Sequence, residues 1–95
     1  MNKLDDYVTR RGQTSPAFAQ AVKQEDLNLD AAVAVRQLRD SLQLSQRAFA
    51  QQIGKPQSTV ARIESGSMTI STKLLAEIAS ATGQRLQIQF IPVHE

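Results

Sequence analysis

Residues 45 to 66 read Ser-Gln-Arg-Ala-Phe-Ala-Gln-Gln-Ile-Gly-Lys-Pro-Gln-Ser-Thr-Val-Ala-Arg-Ile-Glu-Ser-Gly, a pattern that predicts two short helices joined by a glycine turn. Phe49, Ala50, Ile53, Val60 and Ile63 form an apolar set that can hold such a pair together. The small Ala50 lets the helices approach, and Gly54 tolerates the left-handed backbone of a tight turn. Between the core positions the second helix offers Gln57, Ser58, Thr59, Ala61 and Arg62 to a partner. Side-chain amides and guanidinium groups match the base edges of the major groove, where Gln pairs with adenine and Arg with guanine through two hydrogen bonds. Polarity alone fits equally a helix hairpin with a solvated outer face; the order of the residues favours the nucleic-acid reading.

Working outward, Asp30 to Leu42 carries Ala31, Val35, Leu38 and Leu42 at spacings of three and four, an amphipathic helix with Asp30 as its cap. Ser45 caps the next helix, which runs to about Gln52, and the glycine turn leads into a helix from Pro56 to Glu64. Ser65-Gly66-Ser67 ends it. Ser71 caps a further helix with Leu74, Leu75, Ile78 and Ala79 inward, and Gly83 stands where the residue after a C-cap ends a helix. At the N-terminus, Leu4 to Arg11 places Leu4, Tyr7 and Val8 on one face of a short helix, followed by the turn composition Gly12-Gln13-Thr14. Ser15-Pro16 is a helix start, and Phe18, Ala21 and Val22 give that helix its stripe. Charges and Asn28 interrupt the stripe, which predicts a break or kink near Gln24 to Asn28.

After Gly83 the period falls to two. Leu86, Ile88 and Phe90 alternate with Gln87 and Gln89 before Ile91 and Pro92 stop the pattern, so one strand is expected. A lone strand leaves its ladder groups unpaired, and pairing with its own copy across a two-fold axis would satisfy them. The alternative is an ordered tail lying on the bundle.

Composition bounds the remaining classes. At 95 residues and 10.5 kDa the chain makes one domain with a small stability margin, which self-association would help. It has no cysteine, hence no disulfide or thiolate metal site, and a cytoplasmic home is the natural default. Met1 to Arg10 carries two acids and no apolar run, and no window approaches the roughly 20 apolar residues of a membrane span, so a soluble protein is expected. The net charge of +2 is segregated: residues 1 to 35 carry four basic and five acidic side chains, residues 36 to 85 seven basic and three acidic. The basic excess coincides with the helix pair, as contact with phosphates would require, although a solvated basic face has the same signature. His94 is the only histidine, Asp5-Asp6 and Glu25-Asp26 are adjacent carboxylates that diverge on a helix, and the glycines at 12, 54, 66 and 83 make no phosphate loop. No enzyme, cofactor or metal is expected.

Leu44-Ser45-Gln46, Phe49-Ala50, Gly54, Gln57-Ser58-Thr59-Val60, Arg62-Ile63-Glu64-Ser65-Gly66 and Leu74 to Ile78 resemble the Xre family of helix-turn-helix regulators, the Cro and C1 repressor type, over about residues 31 to 83. The resemblance implies an all-α, lambda-repressor-like bundle of about four to five helices that binds double-stranded DNA, here with an N-terminal helical extension and one C-terminal strand. It implies that Gln46 clamps a phosphate, that Gln57, Ser58 and Arg62 reach base edges, and that Thr59 and Lys55 add backbone contacts. Arg47 belongs to the same expected DNA-binding set, and the small Ala61 leaves space for a thymine methyl or for nothing. The chain departs from the family at Pro56, where Ser or Thr usually precedes the recognition glutamine. A capping hydroxyl and a phosphate-facing amide are lost together. Proline suits the first helical turn and Lys55 could bring charge to the same phosphate, so altered affinity and an intact fold are expected.

The layout of an N-terminal extension (residues 1–29), a helix-turn-helix domain (30–83) and a dimerisation strand with tail (84–95) resembles antitoxins of toxin–antitoxin modules, in particular the HigA-like and HipB-like groups. That resemblance implies a homodimer on a palindromic operator, joined through Leu86, Ile88 and Phe90. It also implies a small toxin partner, often a RelE-like RNA-cleaving enzyme, with Leu4, Tyr7, Val8, Phe18 and Val22 as candidates for its contact. The same side chains could instead pack on the protein's own bundle. Two rival readings stand beside this one: a stand-alone regulator without a toxin, and a protein-interaction module that no longer binds DNA, with Pro56 as the motive.

Overall fold

The computed structural model describes residues 16 to 93, and these form four helices: α1 (Pro16–Ser41), α2 (Gln46–Ile53), α3 (Gln57–Glu64) and α4 (Thr72–Ala81). The short helix expected from Leu4 to Arg11 lies outside the described residues. Helix α3 packs against α1 and α2, and α4 packs against α2. Phe49, Val60 and Ile63 are sealed from solvent at the centre, with Val35, Ala50, Ile53 and Ile78 around them. Each large member contributes about 1.5–3 kcal/mol by leaving water. All five apolar positions of the helix pair are therefore core residues.

Local chemistry sets the boundaries. The Ser45 hydroxyl accepts from the Ala48 amide at 3.1 Å and opens α2, and Ser71 does the same for Leu74 at 3.0 Å to open α4. Gly54 ends α2 at φ 69°, ψ 33°, which turns the chain so that the Lys55 amide reaches the Ala50 carbonyl at 3.0 Å. A side chain there would meet no neighbour, so the turn asks for glycine on backbone grounds alone. Gly66, at φ 75°, has a second reason: a Cβ would stand 3.0 Å from the Leu29 Cδ2. The loop after α1 also turns left-handed, but with a glutamine, Gln43 at φ 57°.

Two sequence expectations are corrected. Helix α1 is unbroken over 26 residues, with no break at Gln24 to Asn28 and with Asp30 inside it instead of capping a new helix. Residues 24 to 29 hold neither proline nor glycine, and the Gln24 amide donates to Asn28 Oδ1 at 3.1 Å, a pairing four residues apart that a helix itself creates. The lost stripe marks where the helix leaves the core. Ala32 and Val35 are buried, while Leu27 and Leu29 before them are more than half exposed. Ala32 also takes the inward place expected of Ala31. The second correction is the strand: residues 84 to 93 have no regular structure, and no strand occurs among the described residues. A ladder needs a neighbour, and the described part of the protomer offers none.

One polar cluster ties three helices. Arg39 Nε donates to Glu64 Oε2 at 2.7 Å and Arg39 Nη2 to Glu64 Oε1 at 3.0 Å, a two-pronged pair between α1 and the last residue of α3. Arg39 Nη1 also donates to the Leu44 carbonyl at 2.9 Å, and Gln46 Nε2 donates to Glu64 Oε1 at 3.2 Å. The side chains of Arg39 and Glu64 are only 15% and 5% exposed. Burial opposes the charge on Glu64, but hydrogen bonds from Arg39 and Gln46 and the positive field of Arg39 and Arg36 outweigh it and hold the carboxyl below its ordinary range. The Glu64 hydrogen bond raises the Arg39 guanidinium in turn, against the cost of its own burial.

Removing one partner leaves the other charge buried without a counterpart, so Glu64→Gln should cost about 3 kcal/mol in urea unfolding. Because the folded carboxyl titrates below its unfolded value of about 4.3, its share of stability is complete above that pH and is lost as pH falls through the lower folded value. The wild-type chain should lose stability across that acid window and the Glu64→Gln variant should show a flatter profile; parallel profiles would exclude the linkage. Gln43→Gly should raise stability by about 1 kcal/mol in the same assay, by relieving the left-handed backbone of a non-glycine residue.

Candidate nucleic-acid interface

Helix α3 has eight residues and buries Val60 and Ile63. At about 100° per residue the opposite face consists of Gln57, Ser58, Ala61 and Arg62, and all four are exposed. Among the described residues their side chains make no hydrogen bond or ion pair. The face is polar, free and held on a rigid element. Thr59 sits at its edge, half-buried.

The surroundings of α3 place the remaining candidates. Gln46 is the first residue of α2, half-buried, its amide fixed by Glu64. Arg47, next to it, is exposed. Lys55, in the turn, is half-buried and its Nζ lies 3.4 Å from Glu77 Oε1 on α4, so its charge is shared with the protein. A solvent-screened pair of this kind is worth about 0–1 kcal/mol, little enough to be exchanged for a stronger anion. Pro56 occupies the N-cap of α3 with extended backbone and no side-chain cap, one position before the helical turn in which it was expected. The Thr59 amide instead bonds the Pro56 carbonyl at 3.0 Å. The missing cap is a local feature that leaves the fold intact.

The candidates outside this face are separate from it. Leu4, Tyr7 and Val8 lie outside the described residues, as does the side chain of Phe18; Val22 is half-buried on the projecting half of α1. Leu86, Ile88 and Phe90 are 38%, 64% and 101% exposed on the tail. Sequence reasoning counted Arg36 and Arg39 only as charges. The structure puts Arg39 in the buried pair and Arg36 near enough to bias Glu64. A signal was available: Arg39 falls on the inward stripe of Val35, Leu38 and Leu42, where an unpaired cation is untenable, and Glu64 is the only acid between Asp40 and Glu77.

Among the described residues no three His, Cys, Asp or Glu side chains converge as metal ligands, and no helix is long and apolar enough to cross a membrane. No curated protein and no solved structure matches the chain. The helix-turn-helix (HTH_3) family model matches residues 35 to 88, more than half of the chain. That match begins at Val35, a core residue of α1, and carries on through α2, the Gly54 turn and α3 into the tail, so the chain belongs to the Cro/C1-type helix-turn-helix family and is a DNA-binding regulator.

Proposed function

We propose that this regulator is a sequence-specific antitoxin that represses its own operon as a homodimer and neutralises a small toxin. The observation that carries the DNA half is the free polar face of α3. In this reading Gln57, Ser58 and Arg62 contact base edges, Ala61 meets a thymine methyl, and Arg47, Thr59 and Lys55 contact the backbone, Lys55 by leaving Glu77. The Gln46 amide nitrogen has two hydrogens. One goes to Glu64, which leaves the other for a phosphate in this reading. Two protomers, joined through their tails at Leu86, Ile88 and Phe90, would set two α3 helices about 34 Å apart on a palindromic site.

The antitoxin half rests on α1. Along α1, Leu27, Leu29 and Val33 are each more than half exposed, Leu29 and Val33 one turn apart on the side that Val22 shares, and a helix face docking into a partner's groove is a common recognition mode. Val22 and Phe18 belong to this segment, and Leu4, Tyr7 and Val8 would extend it; the partner expected is a small RelE-like RNA-cleaving toxin. The contact of Leu29 over Gly66 supports the second reading, a stand-alone regulator whose extension braces the bundle.

Two measurements test these roles. In binding titrations Arg62→Ala should lose about 1–3 kcal/mol on the operator and relax one base position, whereas Gln46→Ala should weaken binding to operator and random DNA alike. Equal losses on both DNAs for Arg62→Ala would remove its base-reading role. Co-expression of the tagged chain with the neighbouring reading frame should yield a stoichiometric small partner that Val22→Asp releases; tagged protein alone, still binding its upstream DNA, would leave the stand-alone regulator.

A further inference from the structure

We infer that the dimer forms by exchange: Phe90, on the tail of each protomer beyond Leu86, enters an apolar groove between α1 and α4 of the other. This rests on the dimeric reading above and specifies how the two copies join. The groove has a volume of about 200 Å³ and is floored by Val35, Leu38, Leu75, Ile78 and Ala79, with the chain's own Leu86 at one side. An apolar cavity of roughly 150 Å³ admits a benzene ring, so there is room for one aromatic side chain.

The same protomer carries the matching plug. Ile88, Phe90, Ile91 and Val93 are 64%, 101%, 76% and 69% exposed, and beyond Gln84, whose amide bonds the Ala79 carbonyl at 2.8 Å, no backbone hydrogen bond ties the described tail to the bundle. Together with Leu86 these side chains present on the order of 500 Å² of apolar surface. That is at the upper end of what a monomer ordinarily shows and is more than half of the about 800 Å² that each partner of a stable dimer buries. Groove and plug on one chain are what a two-fold contact requires, since each copy must give what it receives. No residue of α2 or α3 lines the groove, so the contact leaves the exposed face of α3 free. Phe90, the most exposed apolar side chain and the only aromatic in the described tail, is the anchor.

The chain has no cysteine, so introduced pairs report cleanly. Chains with Ala34→Cys, in the groove lining, are refolded together with chains carrying Phe90→Cys and mildly oxidised. Exchange predicts a disulfide-linked species containing one of each, and Phe90→Ala should raise the dimer dissociation constant about 30-fold in sedimentation equilibrium. Phe90 stands clear of the core, so that variant keeps the protomer fold. Links between two Phe90→Cys chains, at dimer mass, would overturn exchange in favour of strand pairing on the axis and leave the dimeric reading in place. Monomer mass for the native chain, with an internal disulfide when one chain carries both cysteines, would overturn both.

Discussion

The pairing of Arg39 with Glu64 is the constraint on which the arrangement of helices turns. Helices α2 and α3 are eight residues each, too short to hold themselves in water. Apolar contact among Phe49, Val60 and Ile63 supplies attraction, but such contact is nearly indifferent to a small rotation or slide. A guanidinium that must present two hydrogens to one carboxylate and a third to the Leu44 carbonyl is not indifferent. It fixes the end of α3 against α1 and the entry of α2 against both. With Gln46 added, both Glu64 oxygens have partners, and no buried side-chain polar atom among the described residues is left without one.

Much of this was legible in the sequence, and what was legible is local. Ser45, Ser71 and Gly54 act on residues at most four positions away, so a reading along the chain finds them. The apolar set at 49, 50, 53, 60 and 63 was equally plain, because two short amphipathic helices with a turn between them have few ways to bury those side chains. The misreadings came where the answer depends on distant neighbours. An apolar stripe measures contact with the core and says little about whether the helix continues, so the end of burial before Ala32 looked like the end of a helix. Alternation at Leu86, Ile88 and Phe90 describes the face a strand would have, while the strand itself needs a second chain segment that the described protomer does not contain. Arg39 and Glu64 are 25 residues apart, and only the inward placement of the arginine hinted at the bond.

The candidate site follows the same division. That Gln57, Ser58, Ala61 and Arg62 share a face is a matter of helical geometry and could be read from spacing. That Lys55 leans on Glu77 and Gln46 on Glu64 depends on how α4 and α3 come to rest, and changes the chemistry of both residues: each meets a ligand already engaged. Any partner that took up either side chain would compete with that carboxylate, whereas the Arg62 side chain makes no hydrogen bond or ion pair among the described residues.

The continuity of α1 has a mechanical meaning. Because no residue between Pro16 and Ser41 interrupts it, the helix runs unbroken for about 39 Å, and the residues it buries among those described, Ala32 and Val35, lie in its second half. Asp26 and Arg39 stand about 20 Å apart along this one helix, and Arg39 is the residue that seats α3. Whatever is held on the outer turns of α1 therefore sits on the same uninterrupted helix as the residue that anchors the end of α3.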